Sequence, residues 1–316
     1  MLKYIIKRIL ILIPTWIILG LIVFFIINLA PGDPTAMLIG TESVGNIEYI
    51  RESLGLDKSI SERLILWMQG LLRGDLGDSF FLGRSVKDAI WERLPVTMSL
   101  AVFGLFFAVS IGIPFGIIAA IKPNGLRDIL VMGISLIGVS IPEFFLGLIL
   151  IFIFSLGLHI FPSGGYKPLF EGFYQWFRHM VLPSFSIGFI WAAYVARLMR
   201  SSMLEVLNQE FIVTARAKGQ TEFIIVMKHA LRNAILPIVT ASGIIFALTL
   251  NGAFITEYLF RLPGAGSLII AAVKHRDYPI VQGGLIVFST TILLINLIVD
   301  ILYVFIDPRI KYGEKS

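Results

Sequence analysis

Apolar residues along the chain fall into six long blocks, separated by polar, glycine-rich or proline-rich connections. Each block runs for 19 to 30 residues, and about 20 apolar residues let an α-helix cross the hydrocarbon core of a bilayer. No block alternates apolar and polar residues with the period of two that membrane β-barrels show. The pattern predicts an all-α, polytopic membrane protein with six transmembrane helices, at Ile9–Leu29, Val96–Ile121, Ile129–Leu158, Met180–Leu198, Ala234–Thr256 and Ile280–Ile306.

The composition supports a membrane protein and excludes several other classes. Hydrophobic residues make up 57% of the 316 residues, charged residues make up 15%, and there is no cysteine. Mean hydropathy is +0.87, and a soluble domain is closer to about 45–50% apolar and about 25% charged. Thiol chemistry and cysteine-based metal sites are therefore excluded. The net charge of +5 does not indicate a nucleic-acid partner, because in a membrane protein the placement of charge matters more than its sum.

Lysine and arginine predict which side of the membrane each connection faces. Fourteen of them lie at the N-terminus, in the second-to-third and fourth-to-fifth connections and in the C-terminal tail, whereas the two short connections on the other side carry five. The positive-inside rule assigns the more basic side to the cytoplasm. We therefore expect both termini to be cytoplasmic.

This topology predicts three segments, the third of which contains a cytoplasmic loop at 199–233. They are the N-terminal tail and first helix at 1–29, an extracytoplasmic helical segment at 30–95 and a five-helix transmembrane domain at 96–316. The first apolar run is too long for a signal peptide, and Ala30-Pro31 is a poor cleavage site. Helical spacing predicts helices at Tyr49–Leu54 and Ile60–Leu72. The outer segment is either a cap on the helix bundle or a docking surface for an extracytoplasmic partner.

The basic cytoplasmic loop has a helical pattern of its own. Glu210 to Gly219 is predicted as a short helix that ends at the glycine, with acid in its first turn and base in its last, as the helix dipole favours. A second helical stretch is expected from Glu222 to Ala234. Such a hairpin is either an interfacial amphipathic element on anionic lipid or a surface that a cytoplasmic motor pushes.

The chain resembles the permeases of ABC importers, in the dipeptide, oligopeptide and nickel branch, along essentially its whole length. The cytoplasmic loop matches that branch's form of the EAA loop, although of the general EAA pattern only Ala215 and Gly219 are present. The matching stretches are Thr214–Gly219, His229–Ala234, Leu236-Pro237, Pro31–Pro34, Leu54–Asp57, Gly74–Gly77, Arg93–Pro95, Leu262–Gly266, Arg276–Pro279 and Asp307–Arg309.

The resemblance implies a type I ABC-importer permease fold and a pore for peptides in the inner membrane. The helix from Glu210 to Gly219 would be the coupling helix, which contacts an ATP-binding subunit. Its candidate contact residues are Glu210, Thr214, Ala215, Arg216, Ala217, Lys218 and Gly219. The implied partners are a second, related permease, two ATP-binding subunits and an extracytoplasmic substrate-binding protein. The chain has no G-x-x-x-x-G-K-[ST] phosphate loop, so ATP and magnesium are expected on the partner subunits and no cofactor on this chain.

Polar residues inside the apolar spans are further candidates, because charge in the hydrocarbon region is costly and usually faces a cavity or a partner. Glu143 follows Pro142 in the third span and is a candidate pore residue for a cationic group, or is packed between helices. Asn251, in the fifth span, is a second pore candidate. Asp300 is expected to pair with a basic residue near the inner face, such as Arg197 or Arg200. The four histidines show no metal-binding spacing, so no metal site is expected.

Other features leave alternatives open. Gly112 and Gly116 form a G-x-x-x-G pair that suits close helix packing, within the chain or against the second permease. Nickel, glutathione or another small solute are alternative substrates. An ion-coupled secondary transporter would use Glu143 and Asp300 as proton carriers, but the chain lacks the internal repeat typical of that class. An intramembrane protease at Ser242 would lack a histidine at similar depth.

Overall fold

A computed structural model describes residues 2–29, 57–79 and 81–306 of the chain. Contacts between Cα atoms divide the chain into two compact units. The first combines residues 1–96 with 263–297, and the second combines residues 97–262 with 298–316. Each unit is considered separately below.

In the first unit, the described elements are helices, short strands and the beginnings or ends of longer helices. They are α1 (Leu2–Leu29), α2 (Ile60–Leu72), β1 (Asp78–Ser79), β2 (Arg84–Ser85), the start of α3 (Val86–Ile121), α11 (Ala265–Lys274) and most of α12 (Tyr278–Ile306). Helix α2 begins with a capping box, in which Ser59 and Glu62 satisfy each other's backbone N–H groups. These hydrogen bonds from Ser59 hold the pKa of the Glu62 carboxyl below its usual value. In the membrane, Trp16 Nε1 donates to Thr290 Oγ1 at 2.9 Å and ties α1 to α12.

The two short strands form an antiparallel hairpin that is fixed by buried side chains. Ser79 pairs with Arg84 across the hairpin, and its buried hydroxyl donates to Asp277 Oδ2 at 2.5 Å. At the tip of the hairpin, Phe81 stacks on His275 with ring centroids 3.8 Å apart. The hairpin is therefore attached to the connection between α11 and α12.

The second unit contains the rest of α3 and the helices that surround the cytoplasmic loop. They are α4 (Leu126–Ser140), α5 (Glu143–Leu150), α6 (Phe173–Leu207), α7 (Glu210–Ala217), α8 (Glu222–Ile224), α9 (Leu231–Ala234) and α10 (Leu236–Leu259). A π-helical segment, Ile151–Gly157, continues α5, and a second one, Ile225–Ala230, joins α8 to α9. A 3₁₀ turn at Leu169–Glu171 precedes α6.

The third predicted span is broken rather than straight. Helices α4 and α5 meet at an angle of 103° across Ile141 and Pro142. Ile141 is extended, because a residue before proline is disfavoured in the helical region. Glu143 therefore begins a new helix, where its negative charge suits the helix dipole. The expectation of one continuous helix at Ile129–Leu158 is wrong, because the chain leaves the helix at Ile141 and Pro142.

The number of spans agrees with the sequence prediction. Among the described residues, five helices are long and apolar enough to cross a membrane, and α4 with α5 and its π-helical continuation makes a sixth if the bent pair is one span. Helix α3 begins at Val86, ten residues before the predicted start. The stretch at 86–94, which mixes polar and apolar residues, continues into the span without a break. The predicted helix at Tyr49–Leu54 lies outside the described residues.

Glycines bring α3 and α6 into direct backbone contact. A Cβ on Gly112 would lie 2.6 Å from Val195 Cβ, and one on Gly116 would lie 2.6 Å from the Ala196 carbonyl oxygen. On α6, a Cβ on Gly188 would lie 2.5 Å from the Gly104 carbonyl oxygen. The G-x-x-x-G pair therefore packs two helices of the same chain together.

Candidate coupling surface and polar contacts within the spans

The predicted coupling helix is present as α7, and its end has the conformation that the sequence indicated. Gly219 has a φ of +76°, which favours glycine. The Gly219 N–H donates to the Arg216 carbonyl at 2.9 Å, and the Gln220 N–H donates to the Ala215 carbonyl at 3.3 Å. These two bonds form a Schellman motif, which stops the helix sharply.

One face of α7 is anchored in the core of the second unit. Ile212 and Ala215, three residues apart, are buried in a cluster that also contains Met203 of α6, Ile225 of the π-helical segment and Ile238 of α10. Ala215 is thus packed against other residues of the same chain. Its candidate contact with an ATP-binding subunit stays a prediction. In contrast, Ala217 is exposed.

The cytoplasmic helical hairpin runs from α7 through α8 to α9. Its other face is exposed and is both apolar and basic. The exposed coupling candidates are Glu210, Thr214, Arg216, Ala217, Lys218 and Gly219. Large apolar side chains lie exposed beside them, namely Phe211, Val213, Phe223, Ile224 and Met227, and Phe223 is 74% exposed. We define these five apolar residues as the hairpin patch. An exposed apolar patch with charged neighbours is typical of a protein-binding surface.

An ion pair closes the hairpin across its turn. Arg216 donates from Nε to Glu222 Oε1 at 2.8 Å and from Nη2 to Glu222 Oε2 at 3.3 Å. These hydrogen bonds lower the pKa of the Glu222 carboxyl and raise that of the Arg216 guanidinium. Glu222 was not identified from the sequence as the partner of Arg216. Opposite charges at these two positions, on either side of the helix-ending Gly219, were a signal that could have indicated the pair.

Helix α6 is joined to the core of the hairpin by a further buried contact. Ser202 Oγ donates to the Ala234 carbonyl at 2.9 Å, and Ala234 ends α9. Only Asn208 and Gln209 separate α6 from α7. The hairpin and the end of α6 therefore form one packed body.

Glu143 lies between α5 and α10. Thr256 Oγ1 donates to Glu143 Oε1 at 2.9 Å. A Cβ on Gly252 would lie 2.7 Å from Glu143 Oε2, so the glycine lets the carboxylate approach α10 closely. The carboxylate is half-buried and packs against a neighbouring helix, as one of the two sequence readings has it. A role in the pore stays a prediction.

The neighbouring polar positions of α10 differ in exposure. Asn251, the other pore candidate, is exposed. Glu257, adjacent to Thr256, is fully buried and accepts a hydrogen bond of 2.5 Å from Thr97 Oγ1 of α3. Two consecutive residues of α10 thus bind two different helices, and no sequence pattern indicates the Thr97 contact.

The expected pairing of Asp300 with a basic residue stays a prediction. Asp300 is half-buried. Arg197 has a buried Nε without a hydrogen-bond partner among the described residues. Arg200, the alternative partner, instead pairs with Asp128. Among the described residues, no three His, Cys, Asp or Glu side chains are grouped as metal ligands would be.

Comparisons with known proteins identify the family. Two family models match the chain: the binding-protein-dependent transport system inner membrane component over residues 112–312, and its N-terminal membrane component over residues 1–101. A probable peptide ABC transporter permease protein, y4tP from Sinorhizobium fredii, is 40% identical over 98% of this chain and 99% of its own. The glutathione transport system permease protein GsiC from Escherichia coli K12 is also 40% identical, over 99% of this chain and 100% of its own.

A solved structure supports the fold. A chain of the inward-facing MetNI methionine ABC transporter superposes with a TM-score of 0.56, at 19% identity, over 69% of this chain and 96% of that chain. The type I permease fold that the sequence predicted is therefore confirmed. The chain belongs to the family of inner-membrane components of binding-protein-dependent transport systems and is a permease subunit of an ABC importer.

Proposed function

We propose that the chain forms half of the translocation pore of an ATP-driven importer for peptides. A second, homologous permease supplies the other half, two ATP-binding subunits bind ATP and magnesium, and an extracytoplasmic binding protein delivers the peptide. Both termini face the cytoplasm. The full-length similarity to a probable peptide permease supports the peptide substrate, and the similarity to a glutathione permease makes glutathione the first alternative.

The observation that carries the proposal is the two-sided character of α7. Its inner face is fixed by Ile212 and Ala215 in the core that contains α6 and α10, while the hairpin patch and two basic residues, Arg216 and Lys218, are exposed. A helix with this arrangement transmits a force. An ATP-binding subunit that moves the exposed face displaces the ends of the two spans to which the inner face is packed.

The substrate is tested by uptake into vesicles. The complete importer is reconstituted with ATP inside and with binding protein and labelled tripeptide outside. We expect ATP-dependent accumulation that competing glutathione and nickel do not reduce. Accumulation of labelled glutathione in place of the tripeptide overturns the peptide substrate. Uptake that continues without ATP and stops with a proton ionophore overturns the ATP-driven mechanism.

The coupling surface is tested by a matched pair of variants. Phe223→Asp places a charge in the hairpin patch, whereas Phe170→Asp places one on another exposed phenylalanine, which is 89% exposed in the 3₁₀ turn. We expect the ATP-binding subunits to copurify with Phe170→Asp and to be lost from Phe223→Asp. Full copurification with both variants removes the hairpin patch from the interface.

A further inference from the structure

The connection from the π-helical segment Ile151–Gly157 to α6 borders a cavity of about 280 Å³ that is open at the surface. Five polar side chains line it together with an apolar wall, and they are Ser155, His159, Gln175, Arg178 and His179. The positive-inside rule assigns this connection to the extracytoplasmic side. In this topology, the cavity and the helical hairpin that contains α7 lie on opposite sides of the membrane.

The guanidinium of Arg178 is held in position and has N–H donors that remain available for a ligand. Its Nη2 donates to the Ile160 carbonyl at 2.6 Å, and its Cζ lies 5.7 Å from the centroid of the Tyr174 ring. An arginine has five N–H donors, so one carbonyl leaves most of them available. Among the described residues, no acidic side chain forms an ion pair with Arg178. Glu171, which lies in the same connection, binds Lys167 at 3.3 Å.

Two imidazoles complete the polar wall. His179 Nδ1 lies 2.7 Å from the Gln175 carbonyl oxygen, and because a carbonyl only accepts, Nδ1 carries a hydrogen. His159 has a φ of +55°, a left-handed conformation that favours glycine and is strained for a histidine. It lies two residues after the π-helical segment Ile151–Gly157, and such segments are frequent at functional sites.

We propose that this cavity binds a single oxyanion group, with Arg178 as its main ligand and His159 and His179 beside it. An unpaired guanidinium in a fixed position forms charge-assisted hydrogen bonds with a carboxylate or a phosphate oxygen. The anion comes either from a free carboxylate or from the phosphate of an anionic lipid. If the anion is a free carboxylate, it is the C-terminus of a peptide. Only this assignment rests on the proposed function.

The test measures equilibrium binding of radiolabelled N-acetyl-dialanine to the complete importer, without binding protein or ATP, in phosphatidylcholine nanodiscs. The same compound with a C-terminal amide is the competitor, because it differs only in the lost charge. Arg178→Gln removes the proposed ligand, and Arg178→Lys keeps the positive charge. Lys167→Gln is the matched control, because it removes a cation of the same connection that is already paired with Glu171.

We expect the wild type and Lys167→Gln to bind the acid equally. Arg178→Gln should bind it about tenfold more weakly or worse, since hydrogen bonds to charged groups are among the stronger ones, and Arg178→Lys should recover part of the loss. Equal competition by the amide, or wild-type binding by Arg178→Gln, overturns the site. Because no transport is measured, this result is independent of whether the importer carries peptides.

Nanodiscs that contain phosphatidylglycerol distinguish the two sources of the anion. If the cavity takes a lipid phosphate, phosphatidylglycerol weakens binding of the acid to the wild type, and Arg178→Gln retains less of this lipid during purification. If the cavity takes free carboxylates, binding is the same in both lipids. Either result supports the oxyanion site, whereas the absence of any Arg178-dependent binding in both lipids overturns it.

Discussion

The carboxylate of Asp128, at the start of α4, is clamped by the guanidinium of Arg200 on α6. Arg200 donates from Nε to Oδ1 at 2.5 Å and from Nη2 to Oδ2 at 2.6 Å. The backbone N–H of Asn124 donates to the same carboxylate at 2.8 Å. The carboxylate is 4% exposed and the guanidinium side chain 24% exposed. This bidentate pair ties the third and fourth spans together about two turns before α6 ends at Leu207.

Removing one member of this pair should destabilise the permease. Asp128→Asn or Arg200→Met leaves an uncompensated buried charge or donor, which costs about 3 kcal/mol. The double variant Asp128→Asn with Arg200→Met removes both charges, so we expect it to be less harmful than the sum of the two. The measurement is the thermal unfolding midpoint of the purified importer. Strictly additive losses contradict a direct interaction between the two residues.

The contact between Gly252 and Glu143 predicts a background-dependent effect. Gly252→Ala alone should shift the Glu143 carboxylate and weaken its hydrogen bond from Thr256, and so lower stability, because the new Cβ would lie 2.7 Å from that carboxylate. In a Glu143→Ala background the collision is gone. Gly252→Ala should then be neutral or stabilising, since alanine favours a helix over glycine by about 1 kcal/mol. Unfolding midpoints of the four proteins test this, and equal damage in both backgrounds contradicts it.

Two alanines of α7 provide a matched comparison of its two faces. Ala215→Leu overfills a buried site and should cost about 1–3 kcal/mol, which appears as less protein in the membrane. Ala217→Leu adds the same side chain to the exposed face. It should leave membrane levels unchanged while weakening copurification of the ATP-binding subunits. Normal copurification and uptake with Ala217→Leu would show that no partner packs closely on that residue.

The Arg216–Glu222 pair predicts a pH dependence that is local to the hairpin. Because the hydrogen bonds from Arg216 lower the pKa of Glu222 below its usual 4.5, the pair stabilises the hairpin above that pH. Its contribution is lost as the pH falls through the lowered pKa. Amide hydrogen exchange around Gly219 should be slower in the wild type than in Glu222→Gln at pH 7, and the difference should vanish at acid pH. Glu205→Gln, on an exposed position of α6, is the control and should not change this exchange.

Local signals explain what the sequence predicted well. The spans are long apolar blocks, and α7 begins at Glu210 and ends at a left-handed Gly219 because helix-ending glycine is a short-range feature. Helix α2 begins and ends where the spacing indicated, at Ile60 and Leu72. Each of these features is decided by residues within about two helical turns of one another.

The features that were missed depend on distant residues. Pro142 stands at the break in the third span, but no local pattern predicts the 103° angle between α4 and α5. Asp128 and Arg200 are 72 residues apart, so no spacing rule connects them. The π-helical segment Ile225–Ala230 also interrupts the α-helical stretch that is expected from Glu222 to Ala234.

The close approach of α3 and α6 at Gly112 and Gly116 has a mechanical consequence. Because carbonyl oxygens and side-chain carbons of α6 fill the space that a Cβ on either glycine would need, these two helices interlock closely and have little room to slide or tilt past each other. A displacement of α6 carries the adjoining part of α3 with it. We therefore expect the hinges of the transport cycle to lie outside this contact, and the break at Pro142, where α4 and α5 change direction by 103°, is one such place.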